Sequence, residues 1–164
     1  MKLHEMMIAE QFDTLLDNLG LEAVGLQLAV ERKLSAIAAE GVTWRMESGD
    51  TGLLRALSGK RRDLLRIDYA KLPEYSVLIY ARPFGSALQI CWFLFAAPRL
   101  VNDIRRALRM EADAGSRFEV GAELDLFDLA DLNAFIGATK LALRFAIRQL
   151  TDAADDLDDG ANTD

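Results

Sequence analysis

Apolar residues are densest in residues 75–95, where their pattern predicts two strands joined by a tight turn. β-branched and aromatic residues dominate residues 75–81, as is typical of strands. Residues 87–95 carry apolar side chains on both faces, so we expect a central strand, covered by helices on one side and partly covered on the other. Pro83 and Gly85 lie where a type I turn needs a fixed φ and its following residue a positive φ.

Before this hairpin, helical spacing of apolar residues predicts two helices. In residues 5–19 the apolar positions recur every three or four residues, and Gly20 is expected to cap the helix. A second helix is predicted over residues 21–40, with Gly41 as its stop. Within it, residues 26–30 alternate well enough to form a strand instead.

Alternation of apolar and polar residues predicts several further strands. Residues 43–48 and 63–69 alternate clearly, whereas residues 53–57 fit either a short strand or one helical turn, of which we favour the strand. The cleanest alternation is in residues 117–126, which predicts a sheet edge with one charged, solvated face. With the hairpin, these segments form an antiparallel meander joined by short loops.

Two helices are predicted in the last part of the chain. One begins at Pro98 and extends to about residue 114, and the other, capped by Asp128, covers residues 128–150. The apolar surface of the second is wider than packing on one sheet face requires, so it is either deeply buried or partly a dimer interface. The candidate interface positions are Leu132, Ile136, Leu143, Ile147 and Leu150. The positions flanking them are Phe135, Leu141 and Phe145.

These elements predict an α+β fold. Its sheet is an antiparallel meander of about five to six strands, with N-terminal helices and a long C-terminal helix packed mainly on one face. A chain of 164 residues that is 51% hydrophobic fits a single domain, which we place at residues 1–152. Residues 153–164 are rich in aspartate and contain no basic residue, so we expect an acidic disordered tail.

Charge is unevenly distributed along the chain. Residues 1–43 have a net charge of −4, residues 44–109 of +6 and residues 110–164 of −9, within a total of −7. A basic middle segment predicts a possible anion-binding surface, although its arginines have abundant carboxylates of the same chain to pair with, and the low pI argues against a dedicated nucleic-acid binder. The candidate anion-binding residues are Lys60, Arg61, Arg62, Arg66, Arg99, Arg105, Arg106 and Arg109.

Residues that carry chemistry are sparse. His4 is the only histidine and Cys91 the only cysteine, so neither a histidine-based triad nor a zinc site is expected. Residues 50–52 spell the tripeptide of aspartic proteases, but they lie in a polar turn and occur once. No phosphate-binding glycine loop follows a predicted strand. We therefore expect no catalytic, cofactor or metal site, and interpret Glu119, Glu123 and Asp125 as the solvated face of a strand.

The layout is similar to that of dimeric secretion chaperones that hold unfolded partners, a similarity of outline that carries no site residues. The first hypothesis is a non-enzymatic interaction protein, adaptor or chaperone-like, with a protein partner and a homodimeric state. The alternatives are nucleic-acid or polyanion binding through the basic segment, and a ligand domain or enzyme with a sheet–helix pocket that uses tyrosines such as Tyr69 and Tyr80. No segment is long and apolar enough for a membrane span, and Glu5 and Glu10 interrupt any signal sequence, so we expect a cytoplasmic protein.

Overall fold

The computed structural model describes residues 6–49, 62–101 and 126–161. The predicted strand at residues 53–57, the predicted strand at residues 117–126 except its last residue, and most of the helix predicted to begin at Pro98 lie outside these residues. Pro98 does start a helical turn, the 3-10 helix Pro98–Leu100. Proline is suited to this position because its missing N–H would have no intrahelical partner there.

Five strands and two α-helices make up the described fold. The strands are β1 (Met7–Leu16), β2 (Val42–Gly49), β3 (Arg62–Tyr69), β4 (Tyr75–Phe84) and β5 (Ala87–Ala96). The α-helices are α1 (Ala23–Ile37) and α2 (Leu126–Ala161). The prediction of an α+β fold with an antiparallel sheet and a long C-terminal helix is thus confirmed.

The sheet has the order β1-β5-β4-β3-β2, and every neighbouring pair is antiparallel. Strands β2 to β5 form the predicted meander, while β1 pairs with β5 and so lies at the opposite edge from β2. Since four antiparallel pairings separate them, β1 and β2 run parallel. The connection between them carries α1 across one face of the sheet, where α1 packs near β4.

The hairpin at the centre of the sequence pattern is present, but its turn is shorter than predicted: Pro83 lies within β4, opposite Leu88, and the loop consists of Gly85 and Ser86. Strands β4 and β5 pair over their whole length, from Tyr75 opposite Ala96 to Phe84 opposite Ala87. Gly85 has a φ of 66°, as the turn requires of the residue at this position.

Both helices pack on one face of the sheet and form the main core with it. Trp92 is fully buried there, and its indole N–H donates a hydrogen bond of 3.2 Å to the Thr139 hydroxyl of α2. The Tyr69 ring of β3 stacks on Phe135 of α2, with 5.8 Å between ring centroids. These contacts hold α2 against the sheet through both aromatic burial and a satisfied polar group.

The opposite face of the sheet carries a second, smaller apolar cluster. Its buried members are Met6, Leu64, Leu78 and Phe95. Strand β5 therefore buries apolar side chains on both faces, as its sequence predicted, and it is paired on both edges.

The predicted helix at residues 5–19 is wrong, because residues 7–16 form strand β1. Local periodicity favoured a helix, but pairing along β5 satisfies the backbone of both strands, and this long-range term outweighs a weak local preference. Gly20 is therefore no helix cap: its N–H donates to the Ser86 carbonyl over 2.8 Å, and a β-carbon would lie 2.9 Å from that oxygen. Within residues 6–49 there is one helix, α1, rather than the two predicted.

Helix α2 is longer than its pattern predicted at both ends. It begins at Leu126 and continues to Ala161, so it enters the segment predicted to be a disordered tail. Leu150 and Ala154 pack against the main core, so tertiary contacts support the helix past its predicted end at residue 150.

Candidate functional site

The most unusual surface of the described fold is the outward side of α2. A surface helix ordinarily presents charged and polar residues to solvent. Between Phe127 and Leu141, however, the residues of α2 that are exposed comprise one phenylalanine, two alanines, one glycine and one leucine, with no polar residue among them. The pattern of this surface is thus the reverse of the usual one.

These residues, with Phe145, form a continuous line that we call the outer stripe. Its members are Phe127, Ala130, Ala134, Gly137, Leu141 and Phe145. They recur every three or four positions, which places them on one side of the helix over about 27 Å, at a rise of about 1.5 Å per residue. The three large side chains are 82%, 52% and 41% exposed at Phe127, Leu141 and Phe145, respectively.

The middle of the outer stripe is flat because its residues are small. A β-carbon at Gly137 would meet no heavy atom within 4 Å. Helices approach one another most closely where the facing side chains are small, down to an axial separation of about 8 Å. The outer stripe therefore has the shape that a second helix could pack against.

The candidate interface positions predicted from the sequence lie on the other side of this helix. Leu132, Ile136 and Leu143 are buried in the main core, and Ile147 and Leu150 pack against it. Three of these side chains are thus deeply buried, and Ile147 and Leu150 are partly buried. The exposed surface lies about half a turn away and includes Leu141 and Phe145, which the sequence pattern marked only as flanking positions.

Helix α1 lies beside α2 and adds exposed apolar residues of its own. The Lys33 ammonium lies 4.7 Å from the centroid of the Phe145 ring, so the edge of the outer stripe meets α1. Large apolar residues exposed on α1 or just before it are Leu21, Val24 and Leu28.

Among the candidate anion-binding residues, Arg66 is buried and paired within the protein. Its side chain is only 11% exposed and lies on the sheet face opposite the helices. Its Nε donates to Asp68 Oδ1 over 2.9 Å, and its Nη2 donates to the Ser76 hydroxyl over 3.1 Å. Arg45 joins the same network through Glu47, at 2.9 Å, and Asp68, at 3.2 Å. Two arginines thus meet two carboxylates, and the network is neutral overall.

Arg99 is also paired, with the carboxylate of Glu74, the residue before β4. Lys60, Arg61, Arg105, Arg106 and Arg109 lie outside the described residues, as does the side chain of Arg62. Among the candidate anion-binding residues, the structure thus describes the side chains of Arg66 and Arg99. Both side chains are paired with the protein's own carboxylates.

An open cavity of about 480 Å³ lies at the end of the sheet where β2 begins and β3 ends. Its lining includes Asp68, which pairs with both Arg45 and Arg66, and Tyr69, whose ring stacks on Phe135 of α2. Within residues 6–49, 62–101 and 126–161, no three His, Cys, Asp or Glu side chains are grouped so that they could hold a metal ion. The charged side chains that line the cavity are thus paired with one another.

In the regions described, no helix is both long enough and apolar enough to cross a membrane. Comparison with known proteins found no matching family model, no matching curated protein and no matching solved structure. The surface chemistry of the chain itself is therefore the basis for a functional proposal.

Proposed function

We propose that this protein is a non-enzymatic protein-interaction module, adaptor-like or chaperone-like, that acts in the cytoplasm as a homodimer. The observation that supports this proposal is the outer stripe of α2, where exposed apolar and small residues replace the usual charged face. Contiguous exposed apolar surface of this kind marks protein-interaction sites, because leaving it in water costs free energy that association recovers.

The bonding of the described polar residues also supports an interaction role over a catalytic one. The buried arginine network is neutral and internally bonded, so it stabilises the sheet rather than presenting an unsatisfied charge to a substrate. Catalytic groups are expected to lie in a cleft with reactive atoms directed towards open space. The exposed apolar stripe is instead suited to contact with another protein.

The proposal is tested by size-exclusion chromatography with light scattering. The wild-type protein should have the mass of two 18.2-kDa chains at micromolar concentration. Leu141→Glu should give the mass of one chain with an unchanged circular dichroism spectrum, because it introduces a charge into the centre of the apolar contact.

The matched control is Leu15→Glu, because Leu15 on β1 is 53% exposed and Leu141 is 52% exposed. The control should remain dimeric. The variants Leu143→Asp and Ile147→Asp would not serve, since both side chains pack in or against the core and their loss would unfold the protein. A wild-type protein that is monomeric throughout the concentration range would contradict the proposal.

A further inference from the structure

The outer stripe of α2 has almost the same pattern read in either direction. Ala134 and Gly137 are equidistant from a point between residues 135 and 136, and so are Ala130 and Leu141. Phe127 and Phe145 lie at its two ends with their midpoint at residue 136. Small residues thus occupy the centre, and the aromatic residues occupy both ends.

From this symmetry we infer that two copies of the protein pair through antiparallel α2 helices, with a twofold axis near residue 136; the inference rests on the homodimer proposed above. A twofold interface uses the same patch on both subunits, so the patch must be complementary to itself. Antiparallel pairing places Leu141 against the partner's Ala130, a large residue against a small one. It also places Ala134 against the partner's Gly137 at the crossing point, and an aromatic ring opposite another at each end.

The spacing of the outer stripe supports a close helix pair. Apolar positions separated by three and four residues are those that interdigitate when two helices cross at about 20°. Ala134 and Gly137 at the crossing allow the axes to approach, because neither has a side chain beyond its β-carbon. Leu141 then fills the space beside the partner's Ala130 rather than meeting a second leucine.

Charge disfavours the parallel alternative. Arg144 and Arg148 are both exposed on α2, and a parallel pair would place each beside its own copy. A parallel pair would also bring together the two acidic helix ends, each with five aspartates between residues 152 and 159. Antiparallel pairing separates these ends by about 60 Å along the helices, at a rise of about 1.5 Å per residue. This separation is many Debye lengths in physiological salt, so the two ends do not repel each other. Like charges therefore select the antiparallel arrangement.

Mixed disulfide cross-linking tests the orientation. In a Cys91→Ala background, Ala130→Cys and Leu141→Cys chains carrying tags of different mass are mixed, allowed to exchange and oxidised. Only the antiparallel pair brings position 130 of one chain within disulfide reach of position 141 of the other. Two copies of the same cysteine would lie about 16 Å apart along the helices, which is too far for a bond. The mixed disulfide should therefore exceed either homodisulfide by roughly tenfold.

The possible results separate the orientation from the dimer itself. If Leu141→Cys chains cross-link to each other and the mixed product is minor, the helices are parallel and the inference is overturned, although the dimer stands. If the cysteine variants scatter light as dimers but form no disulfide above the level of a Leu15→Cys collision control, the interface lies elsewhere and the inference is again overturned. If they are monomers, both the inference and the proposed homodimer fail.

Discussion

Arg66 illustrates how a single residue can resemble a binding site in sequence and act as a structural group in the fold. It lies in a strand whose outward face is polar, close in sequence to other basic residues. In the structure it is surrounded by Asp68, Ser76 and Glu47, with hydrogen bonds or ion pairs to each. The cost of removing its charge from water is thus offset by bonds that an external anion would have to replace.

Arg66→Met should destabilise the protein by about 2–4 kcal/mol, because it removes the buried cation that bonds to Asp68 and Ser76. Arg45→Met is the matched control: its side chain belongs to the same network but is 55% exposed, so its loss should cost less than about 1 kcal/mol. Urea unfolding followed by circular dichroism measures both. Equal effects of the two substitutions would show that burial of Arg66 is not what makes its bonds important.

At the scale of elements, polar contacts hold α2 on the sheet at two points, one near its start and one near its middle. Lys140 of α2 lies 2.6 Å from the Glu10 carboxylate of β1 and 4.9 Å from the centroid of the Trp92 ring. Nearer the start of α2, the Asp131 carboxylate, 3.6 Å from the Lys71 ammonium, raises the pKa of that lysine. The edge strand β1 is thus held both by its pairing with β5 and by a cation from the helix above it.

Lys140→Met should lower the free energy of unfolding by about 1 kcal/mol, since it keeps the aliphatic stem but removes the partner of a half-buried carboxylate. In a double-mutant cycle with Glu10→Gln, the coupling should be about 0.5–1 kcal/mol. All variants are compared by thermal unfolding in the Leu141→Glu background, so that self-association does not contribute to the measured free energy of unfolding. Additive effects would show that the pair contributes nothing to the docking of α2 on β1.

At the scale of the whole molecule, the uneven charge distribution bears on the alternative of polyanion binding. Arg66 and Arg99 are paired with carboxylates, and the chain as a whole has a net charge of −7. Binding to a polyanion requires unpaired cations that displace its counterions.

The wild-type protein should therefore pass through a heparin column at about 0.15 M salt without retention. The control is a basic protein of similar size run on the same column. Retention that falls steeply as salt is raised would instead favour the polyanion-binding alternative, with Lys60, Arg61, Arg105, Arg106 and Arg109 as the residues to substitute next.

The candidate site itself was predicted only in part. The sequence showed that the C-terminal helix has more apolar surface than one sheet face requires, because that follows from counting residues around a helix. It did not show which side meets the sheet. Leu143 and Leu141 are equally apolar, and the difference between core and surface arose from the position of Trp92 and Tyr69 beneath the helix.

The sequence by itself determined the α+β class, the β4–β5 hairpin with Gly85 in its turn, the meander and the presence of a long C-terminal helix. These features depend on periodicity and turn chemistry among residues close in the chain. Only the tertiary structure decided that residues 7–16 form a strand on β5, and that α2 buries Leu132, Ile136 and Leu143 while exposing the outer stripe. Both outcomes depend on contacts between residues far apart in sequence, whose energies local patterns do not contain.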